Sequence, residues 1–234
     1  MSKQYDVETF GGKAANLMEL RDAGFPVPDF FPLGKSPYRE EVLEMAVSIC
    51  GEFPVAVRSS ATAEDGETDS FAGQYETVLN VQDFDGLKAA IEIVLDSAKS
   101  DRVREYQEAK GLEADGEVAI LIQKMVPAHI AGVMFTAEPV ESDDTLIAIE
   151  AVVGLGDKLV GGEVNPDLYV VRKDDFKVVE QQVAKDGILT PTGIRQLSQM
   201  GLDIEKHFGC PQDIEWAVVK DSIFVLQARP ITTL

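Results

Sequence analysis

The stretch DIEWAVVKDSIFVLQARP near the C-terminus holds four side chains whose spacing could support chemistry: Asp213, Glu215, Gln227 and Arg229. Alternation along a strand puts Asp213 and Glu215 on one face, and Gln227 and Arg229 likewise share a face. A hairpin loop at Lys220–Ser222 sets Val219 opposite Ile223, and counting back pairs Glu215 with Gln227 and Asp213 with Arg229. Two carboxylates, an amide and a guanidinium would then form one polar patch. Oxygen ligands of this kind suit Mg²⁺, which keeps waters and takes phosphate oxygens as further ligands. The same pattern also describes a cross-strand ion pair and a polar pair on a solvated face. Phosphate-type segments elsewhere in the chain favour the metal–nucleotide reading.

Two such segments stand out. Gly11-Gly12-Lys13 directly precedes a helical pattern. Glycines let backbone approach a ligand, and a helix N-terminus favours an anion. The GxxxxGK[ST] spacing of a P-loop is absent, so on these residues alone Lys13 reads first as a surface lysine beside a turn. In VAVRSSATAEDGETDSFAGQYET, Arg58 ends an apolar strand and is followed by a loop rich in hydroxyls and glycine. Ser59, Ser60, Thr62, Ser70 and Thr77 can donate to phosphate oxygens, as can the loop's N–H groups, while Gly66 and Gly73 permit tight turns. Its acidic centre, Glu64, Asp65, Glu67 and Asp69, reads as solvated.

Helices are expected over 13–23, stopped at Gly24 with Pro26 and Pro28 beyond; over 37–50, capped by Ser36 with Pro37 in the first position; over 84–110; and over 191–208 despite Gly193 and Gly201. In the 37–50 helix, Val42, Leu43, Ala46, Ile49 and Cys50 fall on one side. Strands are expected over 54–58, 74–81, 117–125, 131–136, 145–152, 167–172, 213–219 and 222–228. Mixed helix and strand followed by strand-rich sequence indicates an α+β protein of two lobes, 1–124 and 125–234.

The chain has 234 residues and a net charge of −20. An acidic surface repels phosphate backbones, so no nucleic-acid partner is expected. Cys50 and Cys210 form no CxxC pair, which argues against zinc and disulfide frameworks and suits a reducing cytoplasm. The N-terminal MSKQYDVETFGGK has no apolar core for a secretory leader, and no apolar run is long enough for a membrane span. Met1 and the ending LQARPITTL fit a complete unit.

Five stretches in this order resemble the N-terminal nucleotide-binding region of phosphoenolpyruvate synthases, pyruvate phosphate dikinases and rifampicin phosphotransferases. They are GGKAANLMELRDAGFPVPDFF, VAVRSSATAEDGETDSFAGQYETVLNV, IQKMVPAHIAGVMFTAEPV, IEAVVGLGDKLVGGEVNPDLYVV and DIEWAVVKDSIFVLQARPITTL. The resemblance implies a two-lobed ATP-grasp fold with ATP held between the lobes. It matches Lys13 and Arg58 to phosphate-binding cations, Gly73 and Thr77 to a phosphate loop, and Gln123-Lys124-Met125-Val126 to the strand end that meets adenine. It also matches Glu215 and Gln227 to magnesium ligands with Asp213 beside them. Arg229 corresponds to the arginine acting on the transferring phosphoryl group; with Lys13 it forms the catalytic pair. Glu150 is a candidate for ribose or cleft contacts, or simply an acidic residue at a strand end.

Two departures from the family follow. The interval from Lys13 to Arg58 is much shorter, which implies a shortened first lobe. The swivelling domain whose histidine relays phosphate is missing, as is the pyruvate-binding barrel; His129 and His207 lie outside any such motif. The first expectation is therefore an Mg-ATP-dependent kinase or phosphotransferase half that donates phosphoryl to a histidine-swivel domain supplied in trans. The second is a non-catalytic nucleotide-binding regulatory or scaffold module. A carboxylate-activating ATP-grasp ligase would share the fold but not these motifs.

Overall fold

The structure is a computed structural model that describes residues 6–34, 38–61, 75–100, 118–139, 143–156, 159, 162, 164–184 and 187–231. Among the described residues the strands form two antiparallel sheets, and contacts divide the chain into two compact units. The first comprises Met1–Glu19 and Pro28–Met125, the second Leu20–Val27 and Val126–Leu234. Leu20–Val27, which the sequence reading kept with the N-terminal lobe, thus belongs with the C-terminal strands.

In the first unit, β1 (Phe30–Leu33), β2 (Val55–Ser60), β3 (Thr77–Val81) and β4 (Ala119–Lys124) lie in the order β1-β4-β2-β3. Helices α2 (Glu40–Ile49) and α3 (Phe84–Ser97) pack on one face. Their Leu43, Ala46, Leu87, Ile91 and Val94 meet Val55, Val57, Ile120 and Ile122 in a continuous core. Each Val, Leu or Ile side chain among them removed from water contributes roughly 1.5–3 kcal/mol. The residues alternating with Val55 and Val57, notably Arg58, therefore face away from the helices.

Helix ends follow local chemistry, with corrections to the sequence reading. Helix α1 (Val7–Asp22) starts earlier than expected but is broken at Gly11, whose φ of 76° and ψ of 170° are not helical. The α2 helix begins at Glu40 rather than 37, because Arg39 holds the N-cap position and makes no side-chain cap. Ser36 and Pro37 lie outside the described residues. Leu43, Ala46 and Cys50 are buried, whereas Ile49 is 49% exposed. Asp83 caps α3 by accepting from the Gly86 N–H at 2.8 Å, and the helix stops at Ser97; residues 101–110 of the expected helix lie outside the described residues. Strand β1 was not expected; its Pro32 fits because β1 is an edge strand, where a missing N–H costs no ladder bond.

In the second unit, β5 (Ile130–Phe135), β6 (Leu146–Val153), β7 (Asp167–Arg172), β8 (Val178–Gln182), β9 (Gln212–Val219) and β10 (Ser222–Pro230) lie in the order β10-β9-β5-β6-β7-β8. Strand β8, also unexpected, is an edge whose Val179 to Gln182 are exposed, so it carries little apolar alternation. Helix α4 (Pro191–Phe208) has the Thr190 hydroxyl as its cap, Pro191 in the first turn and Gly209 at φ 76° as its stop. Gly201 within it allows close approach to the sheet: a Cβ there would lie 2.8 Å from Met134 Cε. No helix among the described residues is long and apolar enough to cross a membrane.

Trp216 is fully buried across from Gly132 in the β5–β9 pair. A Cβ at Gly132 would fall 1.9 Å from the Glu150 carbonyl oxygen and 2.6 Å from Trp216 Cζ2. Backbone on one side and an indole on the other leave nothing that can yield cheaply. Gly132→Ala should therefore destabilise the fold by about 3 kcal/mol, the upper part of the usual cost of overpacking. A urea midpoint equal to that of the wild type would contradict this packing.

Candidate functional site

In the first unit the polar groups gather where α1 meets the end of β2. Gly11 passes so close to Ser60 that a Cβ would sit 1.8 Å from its carbonyl oxygen, and its φ is positive, so only glycine fits. Beyond this break, the Gly12 N–H donates to the Ala61 carbonyl at 3.0 Å and the Ala14 N–H to Ser60 Oγ at 3.1 Å. The new helical start is thereby fixed on the strand. Lys13 is 8% exposed, and its Nζ reaches Ser59 Oγ at 3.4 Å. That burial excludes the reading of Lys13 as an ordinary surface lysine.

Arg58 pairs across the ladders with Thr77 on β3 and Leu121 on β4, so Arg58 and Thr77 share the face turned away from α2 and α3. Gln123 joins them, its Oε1 accepting from Arg58 Nη1 at 3.4 Å. Lys124 points to the opposite face, and its Nζ approaches Gly51, just past the C-terminal end of α2. A cation there complements the helix dipole. The N–H groups of Lys124 and Met125 donate to the carbonyls of Asp29 and Pro54 at 2.9 and 3.1 Å. Gly73 and the acidic stretch 64–69 lie outside the described residues.

In the second unit the hairpin reaches the expected pairing by a different route. The turn holds two residues, with Ser222 opposite Val219 and Lys220 at φ 56°. That is one residue tighter than the expected loop. An irregularity between Val225 and Gln227 then adds one residue to β10, after which Gln227 opposes Glu215 and Arg229 opposes Asp213. Along the next strands Glu215 opposes Val133, and Val133 opposes Glu150. Glu150 therefore stands on the same face as the hairpin groups. The sequence reading did not connect it to them, because strand order is not written in local alternation.

Arg229 donates from Nε at 2.9 Å and from Nη2 at 2.6 Å to a single oxygen, Oδ2 of Asp213. The two side chains are 21% and 11% exposed. Burial pushes the Asp213 carboxyl above its ordinary range, Arg229 opposes that shift, and Glu215 adds to it. Burial, and then the charge of Asp213, push Glu150 up in the same way. Among the described residues no three His, Cys, Asp or Glu side chains are grouped to hold a metal ion. Glu215 and Gln227 offer a carboxylate and an amide oxygen on adjacent strands, a donor set that fits Mg²⁺ completed by water and phosphate. Asp213, beside them, gives its Oδ2 to Arg229.

A carboxyl whose pKa is raised by folding contributes full stability below its unfolded pKa and loses it as pH rises through the folded value. Glu150→Gln should therefore stabilise the protein at neutral pH. The gain should shrink on acidification and vanish below the ordinary glutamate range. Chemical denaturation of both proteins across that range measures it, and a gain independent of pH would refute the electrostatic cause.

The family model described as "Pyruvate phosphate dikinase, AMP/ATP-binding domain" matches residues 36–192 and 184–234. A "Probable phosphoenolpyruvate synthase" of Methanocaldococcus jannaschii is 32% identical over 98% of this chain and 26% of its own length. A "Rifampicin phosphotransferase" of Bacillus cereus is 39% identical over 78% of this chain and 24% of its own length. The chain thus spans about a quarter of the length of either relative. The archaeal alignment runs over 307 residues although this chain has 234, so that relative carries segments lacking here. The D-alanine–D-alanine ligase of Coxiella burnetii superposes with a TM-score of 0.51 at 12% identity, over 97% of this chain and 49% of the ligase, which shows a shared ATP-grasp fold. With the matches spanning most of its length, the chain belongs to the pyruvate phosphate dikinase AMP/ATP-binding domain family.

Proposed function

We propose that this chain is the Mg-ATP-binding, phosphoryl-donating part of a dikinase-type phosphotransferase, and that it passes a phosphoryl group to a histidine on a separate domain or chain. The observation that carries the reading is the β9–β10 register. It presents Glu215, Gln227 and an Asp213-held Arg229 on one face. A solvated surface pair would not bury its guanidinium and carboxylate to this degree.

In this reading Lys13, Arg58, Gly73 and Thr77 bind the phosphates, and Gln123–Val126 meets the adenine. Glu150 contacts the ribose side of the nucleotide. Glu215 and Gln227 hold Mg²⁺, which when bound would neutralise charge on phosphate oxygens. Arg229, fixed by Asp213, acts on the group in transit. A phosphorus–oxygen bond to the nucleotide breaks and a phosphorus–nitrogen bond to the acceptor imidazole forms. The nucleotide keeps the bonding pair, and the imidazole proton is released. Little covalent work falls to the protein, so positioned charge supplies most of the catalysis. The free cysteines Cys50 and Cys210 suit a cytoplasmic enzyme.

Calorimetric titration with ATP, with and without Mg²⁺, tests the nucleotide reading; no heat and no thermal shift in either case would end it. Arg58→Ala should weaken ATP by about 1.5–3 kcal/mol, the value of a charge-assisted hydrogen bond, and leave adenosine nearly unchanged. Equal losses for both would make Arg58 structural.

Arg229→Ala separates catalysis from stability. ATP affinity should change little. Single-turnover transfer to a supplied histidine domain should fall on the order of a thousandfold, by analogy with an arginine finger. Activity that tracks only the folded fraction would reduce Arg229 to the ion partner of Asp213. A wild-type chain that binds ATP but transfers nothing to any such domain would instead favour a nucleotide-binding regulatory module.

A further inference from the structure

Edge strand β10 is contacted from outside its sheet at Val225. The N–H of Val225 donates to the carbonyl of Pro26 at 2.8 Å. Val225 is the last residue before the extra residue of β10, so this bond sits on the bulge itself. Pro26 belongs to a short turn that is closed at both ends. The Phe25 N–H donates to the Leu20 carbonyl at 3.0 Å, and the Val27 N–H to the Phe25 carbonyl at 2.9 Å. The half-buried Phe25 ring stands edge-on to His207, with centroids 6.0 Å apart, and His207 stands edge-on to Phe208 at 5.1 Å. The turn is therefore held between the last turn of α4 and the bulge, and all these residues belong to the second unit.

The bulge decides which way the functional side chains point. The two-residue turn aligns Val225 with Trp216. A straight ladder from there would set Leu226 opposite Glu215 and Gln227 opposite Ile214. A one-residue slip sends every following side chain to the other face. Gln227 and Arg229 would then leave Glu215 and Asp213. The extra residue at 226 prevents this, and the Pro26 carbonyl occupies the outward N–H beside it.

We propose that Phe25 and Pro26 are positioning residues of the site: they hold the bulge in β10 and through it keep Gln227 and Arg229 on the face of Glu215 and Asp213. This rests on the reading of that face as the Mg-ATP site. It concerns how a loop nearly 200 residues away in sequence, by the separation of Pro26 from Val225, sets that face.

Three variants of the full chain test it: Phe25→Ala, deletion of Leu226, and both together. Hydrogen exchange without nucleotide should show Phe25→Ala deprotecting the amides of Val225–Arg229, with β6 and β7 at wild-type protection. In titrations, Phe25→Ala should lose about tenfold in Mg²⁺-dependent ATP affinity, the scale of losing a support behind a metal ligand, with Mg²⁺-free affinity unchanged. Deleting Leu226 leaves a straight ladder that still sets Gln227 opposite Glu215. That deletion alone should keep the Mg²⁺ response, and in the Phe25→Ala background it should restore it.

Wild-type exchange in β10 together with a wild-type Mg²⁺ response in Phe25→Ala would overturn the proposal. So would deprotection throughout the second unit with equal losses with and without Mg²⁺, which describes general destabilisation. A folded Leu226 deletion without Mg²⁺ response would also overturn it. Absence of Mg²⁺-dependent binding in the wild type would instead sink the nucleotide reading, while the exchange pattern still decides whether Phe25 holds the register.

Discussion

A guanidinium and a carboxylate both largely withdrawn from water must find each other, because either alone would be left charged in a poor solvent. In the second unit Arg229 gives two N–H groups to one oxygen of Asp213. That pairing depends on the two residues facing each other across β9 and β10. The pair Glu215 and Gln227 lies two residues along the same ladder and shares its face. Burial holds the carboxyls of Glu150 and Asp213 above their usual range; the charge of Asp213 adds to the shift of Glu150, and that of Glu215 to the shift of Asp213. Glu150, Asp213 and Glu215 share that face with Arg229.

The first unit separates stability from chemistry by sheet face. Val55, Val57, Ile120 and Ile122 secure the helical side. Arg58, Thr77 and Gln123 take the other. Lys124 falls on the helical side although its neighbour Gln123 does not, because adjacent strand residues point in opposite directions. A segment assigned as a block to one ligand therefore divides into side chains with different work. Gly11 allows α1 to restart against Ser60, bringing Lys13 beside Ser59 in a largely buried position.

Much of this was legible in the sequence where a single element decided it. Thr190, Pro191 and Gly209 bound α4 by chemistry that acts within a few residues. Strands with strong apolar content, such as β4 and β6, were equally plain. The missed strands are edges: β1 carries a proline and β8 is largely polar and exposed, so neither shows the half-buried alternation that marks a strand. The hairpin is the instructive case. A turn one residue too long and a bulge unaccounted for cancelled, so the pairing of Asp213, Glu215, Gln227 and Arg229 came out as the structure has it. Glu150 joins them through the order of β9, β5 and β6, which only the assembled sheet defines.

The strand order of the first sheet has a consequence for synthesis. Strand β4, residues 119 to 124, lies between β1 and β2, which end at residues 33 and 60, well before it begins. Until β4 leaves the ribosome, β1 has no strand beside it and β2 has only β3. Pairing across long separations is slow and leaves edges open to other chains. The nascent first unit must therefore wait, with Val55 and Val57 incompletely covered, for the strand that completes its interior. Arg58 and Thr77 can meet early, because β2 and β3 are neighbours in both sequence and space, but Gln123 reaches them only with that last strand.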